Sequence, residues 1–532
     1  MFTKNLPDSL TDKALPMNLL IDDWIPVEIA GIQQRISLQT LLCDDPDCSI
    51  KTFRDDMDLA TLQLLVCLVQ VVFMPDDKRS LKHRWQTPLT VSEYQDGIAG
   101  YLDWFDLLHP KTPFMQTASV MPEKGDKNWA SLQKLFMGLP EKTSSSPTSS
   151  AFFDTPDEIT VIPMGDAAIA LFQQATNGFS LGGVGYSVGL KGSMPLTTLV
   201  VSESLRKSIW CNVLSREFLE PLGILDAPLQ EPTWVTPPHS RFTEEQAHHI
   251  GLARGLFWQP AKVKLALCNG LVTGFYKEAG TCTVKGYWQH PHTPIDILRL
   301  QANDPKEKPY LSGQGNQPLW GQMLSYFYSA ENIKTLDINR GGYSRALVVQ
   351  QYQALWRGGG IKLAVGGYIK GGSTESLAGR KHELYSFSSG WDAKISEIDC
   401  LVKIGLNTQQ KLDTAIRKFA DLAETTFKDR RDNKPKQQTG KEGHFRKNLR
   451  NKAKQQYFDN SETIMHSILR NLVFDDLAEY QKRFSQLAED VFEQVISPYE
   501  HEDKMLEPVL ISRQYLGKKP NKLNKLSDGA TP

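Results

Sequence analysis

The side chains that could hold a metal ion are scattered along this sequence. Cys43 and Cys48 have four residues between them and no second pair nearby, while Cys268 and Cys282 stand alone in strand-like segments. Two histidines flank a proline in the sequence YWQHPHTP at 287–294. None of these spacings matches a zinc site, so we interpret them as buried cysteines and turn histidines. We therefore expect no metal and no other cofactor.

A cluster of glycines is the most distinctive feature of the chain. Five of them lie within eleven residues, between an apolar, helix-like run (167–175) and a β-branched run (197–201): Gly182, Gly183, Gly185, Gly189 and Gly192. Glycine lets a backbone come close to a ligand, because it has no Cβ and tolerates positive φ. A dinucleotide fingerprint requires strand, glycines and then helix, and here that order is reversed. A phosphate cradle at Gly182–Gly185 stays open as an alternative.

Nothing else in the sequence indicates an active site. It contains no HExxH zinc motif and no Walker-type GxxxxGK[ST] loop, and no pair of carboxylates stands out. The residues alone therefore give no positive signal for catalysis.

Lysines beside glycines indicate contact with nucleic acid. Lys191, Lys277 and Lys370 lie in or next to glycine-containing stretches, from which they could together reach the groove of a duplex. The stretch Lys428–Gln456 holds eleven Lys or Arg residues against three acids, a local charge of +8. Such a run can bind phosphates through salt-sensitive contacts. The alternative interpretations are ordinary glycine turns and a solvated loop.

Length and composition are those of a globular protein with two or three domains. The 532 residues are 40% hydrophobic and 23% charged, and the net charge of −1 restricts polyanion binding to local patches. The most apolar run, Leu59–Met74, contains Gln63 and Gln70 and suits a buried helix better than a membrane span. Seven scattered cysteines argue against a disulfide framework, and we expect a cytoplasmic protein.

Hydrophobic periodicity predicts the elements that position these residues. Helices are predicted at Arg54–Met74, Val91–Leu108 and Leu205–Leu222. Further strands are predicted at Asn18–Val27, Lys262–Leu265, Thr281–Val284, Ala346–Gln351 and Ile361–Tyr368.

After about residue 395 the pattern becomes helical. Apolar residues recur at helical spacing over 412–427, 464–472, 477–495 and 506–516, with Ser461 as the predicted N-cap of the second helix. We predict an α+β protein, in which a large mixed α/β N-terminal domain (17–394) precedes a four-helix bundle (395–516). Residues 1–16 are predicted to be a disordered extension and residues 517–532 a disordered tail.

An ordered set of short sequences runs through about residues 17–510. Its members are MNLLIDDWIPV (17–27), RDDMDLATLQLLVC (54–67), PFMQT (113–117), AIALFQQA (168–175), GGVGYSVGLKGSMPLTT (182–198), RGLFWQPAKVKL (254–265), TGFYKE (273–278), WQHPHTP (288–294) and GGY (366–368). In this order they resemble the CasA family, the large subunits of the type I-E CRISPR surveillance complex, Cascade.

The resemblance implies a non-enzymatic subunit with the two domains described above. Family members join the other Cascade subunits at the 5′ handle of the guide RNA. They inspect the protospacer-adjacent motif (PAM) of double-stranded DNA, help to open the duplex for guide pairing and offer a docking surface to a helicase-nuclease. Two alternatives stay open: a stand-alone enzyme that binds a phosphate ligand at Gly182–Gly185, and a purely architectural partner.

The resemblance also assigns the residues that contact the PAM. Gly182, Gly183 and Gly185 correspond to the family's glycine loop, which contacts the PAM. Lys277 is the lysine nearest to the family's lysine finger, at which direct alignment places Ala279. The family's wedge hairpin follows GGY and here has a tip that is longer by two residues and lacks the family's glutamine: Lys370, Gly371, Gly372, Ser373 and Thr374.

Two further groups of residues have predicted contacts. Phe152 and Phe153 correspond to the family's loop that reaches the RNA handle and the neighbouring subunits. In the basic stretch beside the bundle, we predict DNA-backbone contacts for four side chains: Arg430, Arg431, Lys434 and Lys436.

Overall fold

The structure is a computed structural model. It describes residues 17–139, 159–182, 186–238, 244–280, 282–302, 308–314, 318–327, 343–370, 377–428, 443–471 and 477–517. In these ranges no helix combines the length and the apolar character that crossing a membrane requires.

Helices occur along the whole described chain. In chain order they are α1 (Leu38–Asp44), α2 (Asp55–Val72), α3 (Lys78–Gln86), α4 (Val91–Ile98), α5 (Met164–Asn177), α6 (Leu205–Cys211), α7 (Arg216–Leu219), α8 (Leu252–Leu256), α9 (Ile297–Ala302), α10 (Leu324–Phe327), α11 (Leu347–Leu355), α12 (Ile395–Lys428), α13 (His444–Asn471), α14 (Leu477–Ile496) and α15 (Leu506–Arg513).

The strands described by the structure all precede α12. They are β1 (Ile25–Ile29), β2 (Ile32–Ile36), β3 (Ser49–Ile50), β4 (Trp129–Ser131), β5 (Ile162–Pro163), β6 (Thr197–Val201), β7 (Glu244–Gln246), β8 (Lys262–Cys268), β9 (Leu271–Glu278), β10 (Thr283–Lys285), β11 (Ile295–Asp296), β12 (Gly313–Gln314), β13 (Tyr343–Ser344), β14 (Ile361–Lys370) and β15 (Leu377–Phe387).

Two four-stranded sheets carry the residues of interest. In one, β9 pairs with β4, β5 and β8, and β8 and β9 form an antiparallel hairpin. In the other, β14 pairs with β6, β12 and β15. The smaller sheets are β2-β1-β3, β10-β7 and β11-β13.

The chain divides into two compact units. The first contains the described residues of Met1–Gly315, Ser325–Arg357 and Lys362–Leu384, and the second those of Asn316–Leu324, Gly358–Ile361 and Tyr385–Pro532. The predicted fold class is confirmed, because mixed helices and sheets are followed by the helices of a C-terminal bundle.

Helix α2 runs through the core of the first unit. Its residues from Ala60 to Gln70 are all buried, and it packs against α5, α6 and α8. Its first turn carries three aspartates, whose charge suits the positive end of the helix dipole. Buried Gln70 is satisfied by the backbone of Leu214, to which it donates at 2.9 Å and from which it accepts at 2.6 Å. The helix predicted at Arg54–Met74 is therefore confirmed.

In the second unit, α12 packs against α13, α14 and α15. Apolar side chains on α12 such as Leu412 and Phe419 are fully buried. Polar contacts fix the pairing of α12 with α13. Arg450 donates to both oxygens of Asp413 at 2.7 and 2.9 Å, and the Tyr457 hydroxyl donates to the Gly405 carbonyl at 2.8 Å.

The predicted role of Ser461 as a helix cap is wrong. Ser461 lies inside α13, fully buried, and its hydroxyl donates to the Phe458 carbonyl at 3.0 Å. Residues 444–456 are helical, so the basic stretch 428–456 is not one long loop. The polar first half of α13 buries only small or isolated residues such as Leu449 and Ala453, and such a sequence gives little apolar periodicity.

Several other elements differ from their predictions. The strand predicted at Ala346–Gln351 is wrong, since α11 occupies that region; a short apolar run cannot distinguish a buried helix from a strand. The helix predicted at Val91–Leu108 ends at Ile98, and the one predicted at Leu205–Leu222 is split between α6 and α7. The break between α6 and α7 follows Asn212. The Asn212 side chain donates to the Val200 carbonyl at 2.7 Å and accepts from the Val200 amide at 2.8 Å.

Candidate nucleic-acid interface

The residues between α5 and β6, 178–196, hold the glycine cluster, and we call them the glycine segment. Its predicted site residue Gly182 is exposed, with a φ of 77°. Among the described residues, no atom lies within 4 Å of the position that a Cβ would take there, so the surface is open. Glycine is favoured at 182 by its backbone conformation rather than by lack of space.

Gly189 is required for the opposite reason. A Cβ at 189 would lie 2.3 Å from the backbone oxygen of Ala175, in the last turns of α5. The glycine segment therefore returns directly onto the carboxyl-terminal end of α5, and any side chain at 189 would separate the two.

Lys277 lies beside Gly182 in the glycine segment. It belongs to β9, where it pairs with Val263 of β8. Its Nζ donates to the carbonyl oxygens of Leu181 at 3.1 Å and Gly182 at 3.3 Å, and it lies 4.5 Å from the centre of the Tyr186 ring. Two predicted site residues from distant parts of the sequence, Gly182 and Lys277, thus meet at one surface.

The predicted reach of Lys191 into a duplex groove is wrong. Its side chain is buried, and its Nζ donates to Asn177 Oδ1 at 2.7 Å. Burial lowers the pKa of Lys191 to about 7, a shift that the nearby Cys67 thiol partly opposes. Lys191 is therefore an interior residue of the glycine segment.

Sequence reasoning missed a buried polar network under the glycine segment. The Asn177 amide donates to Gln63 Oε1 at 2.9 Å and to Gln173 Oε1 at 2.6 Å. Gln63 Nε2 in turn lies 3.2 Å from His292 Nδ1. Burial lowers the pKa of His292 to about 3, assisted by Lys191, so this ring is neutral. The available signal was Gln63 itself, a polar residue inside an otherwise apolar helix.

Strands β14 and β15, which we call the hairpin, flank the predicted wedge tip. Lys370 is the last residue of β14 and pairs with Gln314 of β12. In the tip-proximal half of β15, Arg380 and His382 contact the two carboxylate oxygens of Asp55, at 2.6 and 3.1 Å.

Other predicted site residues lie outside the described residues. They are Phe152, Phe153, Gly183, Gly185, Gly371, Gly372, Ser373, Thr374, Arg430, Arg431, Lys434 and Lys436. Their roles stay predictions.

The surroundings of the glycine segment argue against the phosphate-cradle alternative. The segment follows the carboxyl end of α5, where the helix dipole is negative, whereas phosphates bind at amino ends.

Residues 178–182, GFSLG, also match the GxSxG spacing of a hydrolase nucleophile, which sequence reasoning missed. That motif requires a turn from strand to helix, and here the helix comes first. The Ser180 hydroxyl donates to the Tyr186 carbonyl at 3.1 Å and accepts from the Gly182 amide at 3.2 Å, so it stabilises the segment.

Comparison with known proteins identifies a family for the chain. The family model described as CRISPR-associated protein Cse1 matches residues 18–491. The chain belongs to the Cse1 family.

Solved structures share the fold at low sequence identity. CasA of Thermus thermophilus is 16% identical, with a TM-score of 0.68 over 94% of this chain and 98% of that chain. Cse1 of Thermobifida fusca is also 16% identical, with a TM-score of 0.67 over 96% and 99%. A chain of a CRISPR RNA-guided surveillance complex is 13% identical, with a TM-score of 0.61 over 94% and 100%. The Cse1 fold therefore extends over nearly all of this chain.

Gly189 and Gly182 of the glycine segment should respond differently to substitution. Gly189→Ala should lower the free energy of unfolding by about 1–3 kcal/mol, because the added methyl group meets a backbone oxygen. Gly182→Asn should change it by less than about 1 kcal/mol, because asparagine tolerates positive φ and the space is empty. Urea denaturation measures both. Equal losses for the two variants would contradict the close approach at Gly189.

Buried Lys191 predicts a pH-dependent stability. Its folded pKa, about 7, lies below its ordinary value of 10.5, so the unfolded chain binds more protons between these pH values. The wild type should therefore gain stability relative to Lys191→Met as pH rises from about 7 to 10, by at most about 1.4 kcal/mol per pH unit. Below pH 7 the burial penalty is fully present and the difference should level off. If the urea midpoints of the wild type and of Lys191→Met differ by a constant amount from pH 7 to pH 10, the lowered pKa of Lys191 is wrong.

Proposed function

We propose that this chain is the large subunit of a type I-E Cascade ribonucleoprotein and acts by binding rather than by catalysis. In this proposal it recognises the PAM in double-stranded DNA, helps to open the duplex for guide-RNA pairing and provides a docking surface for a helicase-nuclease. Membership of the Cse1 family supports the proposal, as does the shared fold of a chain from an RNA-guided surveillance complex.

The observation that carries the DNA-reading role is the meeting of Lys277 with Gly182. The ammonium group of Lys277 binds carbonyl oxygens at an exposed glycine. The minor-groove edge of DNA presents acceptors of similar chemistry, adenine N3 and thymine O2. On binding, the ammonium can exchange backbone carbonyls for base acceptors, while the open surface at Gly182 admits the groove.

The remaining roles follow the same proposal. The tip of the hairpin, 370–374, enters the duplex beside the PAM, where unstacking costs a few kcal/mol that later pairing offsets. Phe152 and Phe153 contact the 5′ handle of the guide RNA or neighbouring Cascade subunits. Residues 17–394 form the recognition domain and residues 395–516 the bundle.

Lys277→Met tests the recognition role in the assembled guide-RNA complex. The substitution keeps the side-chain stem and removes the charge, so binding of a PAM-containing duplex should weaken by about tenfold or more. A duplex without the PAM should bind nearly as before. Lys264→Met is the matched control, because Lys264 on the adjacent strand also donates to a backbone carbonyl, that of Ala118 at 3.1 Å. Equal effects of the two variants would refute a specific role for Lys277.

The same complex tests strand opening and the need for the subunit. Replacing residues 370–374 by a short neutral turn should reduce opening, followed by 2-aminopurine fluorescence beside the PAM. If the complex binds and opens the duplex equally well without this subunit, the DNA-reading role is wrong. If strand opening is lost when the subunit is absent but persists when the tip is altered, residues 370–374 are not the wedge and another part of the subunit opens the duplex.

The basic residues before α13 have a separate test. Changing Arg430, Arg431, Lys434 and Lys436 to glutamine should make the dependence of log Kd on log salt concentration shallower. The slope should fall by roughly one unit for each phosphate that the variant no longer neutralises. Exposed Arg79 and Lys82 of α3, changed in the same way, serve as the control. An unchanged salt slope in the quadruple variant would exclude backbone contact by this stretch.

A further inference from the structure

Tyr368 of β14 joins the hairpin to the helices beneath it. Its side chain is fully buried, and its hydroxyl donates to Asp56 Oδ2 at 2.5 Å. The same hydroxyl accepts from Gln173 Nε2 of α5 at 3.1 Å. Asp56 is itself held by Arg54, which donates to both carboxylate oxygens at 2.9 and 2.8 Å.

From Gln173 the contacts continue to the two ends of the glycine segment. Gln173 Oε1 accepts from Asn177, the residue just before the segment, and Asn177 Oδ1 accepts from Lys191 near its end. The neighbouring Gln174 donates to the Phe179 carbonyl at 2.9 Å. A continuous line of side-chain hydrogen bonds therefore runs from Asp56 through Tyr368 to Asn177 and Lys191, and Gln174 separately holds the start of the segment.

The ring of Tyr368 contacts the same regions through apolar packing. Tyr368, Met194 and Met137 form one buried cluster, against which Phe179 and Leu377 pack. Phe179 and Met194 lie near opposite ends of the glycine segment, and Leu377 is the first residue of β15. One side chain thus touches the glycine segment by its ring and α5 and α2 by its hydroxyl.

The opposite strand of the hairpin is fixed to the same turn of α2. Asp55, next to Asp56, binds Arg380 and His382 of β15. The first turn of α2 consequently anchors β14 through Asp56 and β15 through Asp55. The position of the hairpin and the position of the glycine segment both depend on this turn.

We propose that Tyr368 is a positioning residue, which sets the place of the glycine segment relative to the hairpin through its hydroxyl bonds to Asp56 and Gln173. Its importance for DNA recognition rests on the function proposed above. A residue with this role affects discrimination between duplexes rather than assembly or overall folding.

Tyr368→Phe removes the hydroxyl and keeps the ring, so the apolar cluster stays intact. Tyr94→Phe is the matched control, since Tyr94 is equally buried and its hydroxyl donates to the Leu20 carbonyl at 2.7 Å, away from the network. Gln173→Met breaks the same connection from the side of α5 and should reproduce the effect if Tyr368→Phe fails to fold.

Hydrogen exchange of the full chain tests the proposal without DNA. Amides in the described part of the glycine segment should exchange about tenfold faster in Tyr368→Phe than in the wild type. Tyr94→Phe should leave them unchanged. If exchange in the segment is unaffected by both Tyr368→Phe and Gln173→Met, or rises equally in Tyr94→Phe, the proposal is overturned.

Binding by the assembled guide-RNA complex then separates this proposal from the function on which it rests. The ratio of the Kd for a duplex without the PAM to the Kd for a duplex with the PAM should fall about three- to tenfold in Tyr368→Phe, with assembly unchanged. One outcome is that exchange becomes faster in Tyr368→Phe while the Kd ratio is unchanged and Lys277→Met has no effect on PAM binding. That outcome would support the positioning role and refute PAM reading at this surface. An unchanged ratio while Lys277→Met weakens PAM binding would overturn the positioning role.

Discussion

Four hydrogen bonds meet at the side-chain amide of Asn177, and the arrangement of the first unit depends on them. Two go out from Nδ2, to Gln63 and Gln173, and two come in to Oδ1, from Lys191 and Thr197. A primary amide has two donors and two acceptor lone pairs, so its capacity is filled. At a buried site each missing partner would cost about 1–3 kcal/mol, which makes this geometry difficult to alter.

The network also explains how a lysine is accommodated in the interior. Burial lowers the pKa of Lys191 to about 7. A neutral amine needs only hydrogen-bond partners, and Asn177 Oδ1 supplies one at 2.7 Å. Since Asn177 ends α5 and Lys191 lies beyond the exposed Gly182 in sequence, this bond draws the segment back to the helix. Gly189, which has no side chain, permits the approach.

The sequence predicts the helices and strands that have strong hydrophobic periodicity. It predicts little of the hydrogen bonding between their buried polar side chains. Helix α2 and strand β8 were evident from apolar runs and alternation, and the resemblance to the CasA family assigned Gly182 and Lys277 to one interface. Lys191 was misplaced because charge alone suggests exposure, and its buried partner Asn177 carries no local signal. Ser461 was misread because a serine before an apolar run suits a cap equally well, whereas the long α13 is set by packing against α12.

These features have a common physical basis. In the function proposed above, the surface that contacts DNA includes the main chain at a glycine, and that part of the surface cannot adapt through side-chain rotamers, because glycine has none. Its selectivity must come from where the backbone is placed, and loops are the least fixed part of a fold. Buried side chains beneath the segment that hydrogen-bond to one another, as Asn177 does with Gln63, Gln173 and Lys191, can supply that placement. In that proposal, the hydrogen-bonded polar side chains of α2 and α5 hold the glycine segment in place, which gives a reason for Gln63 within an otherwise apolar stretch of α2.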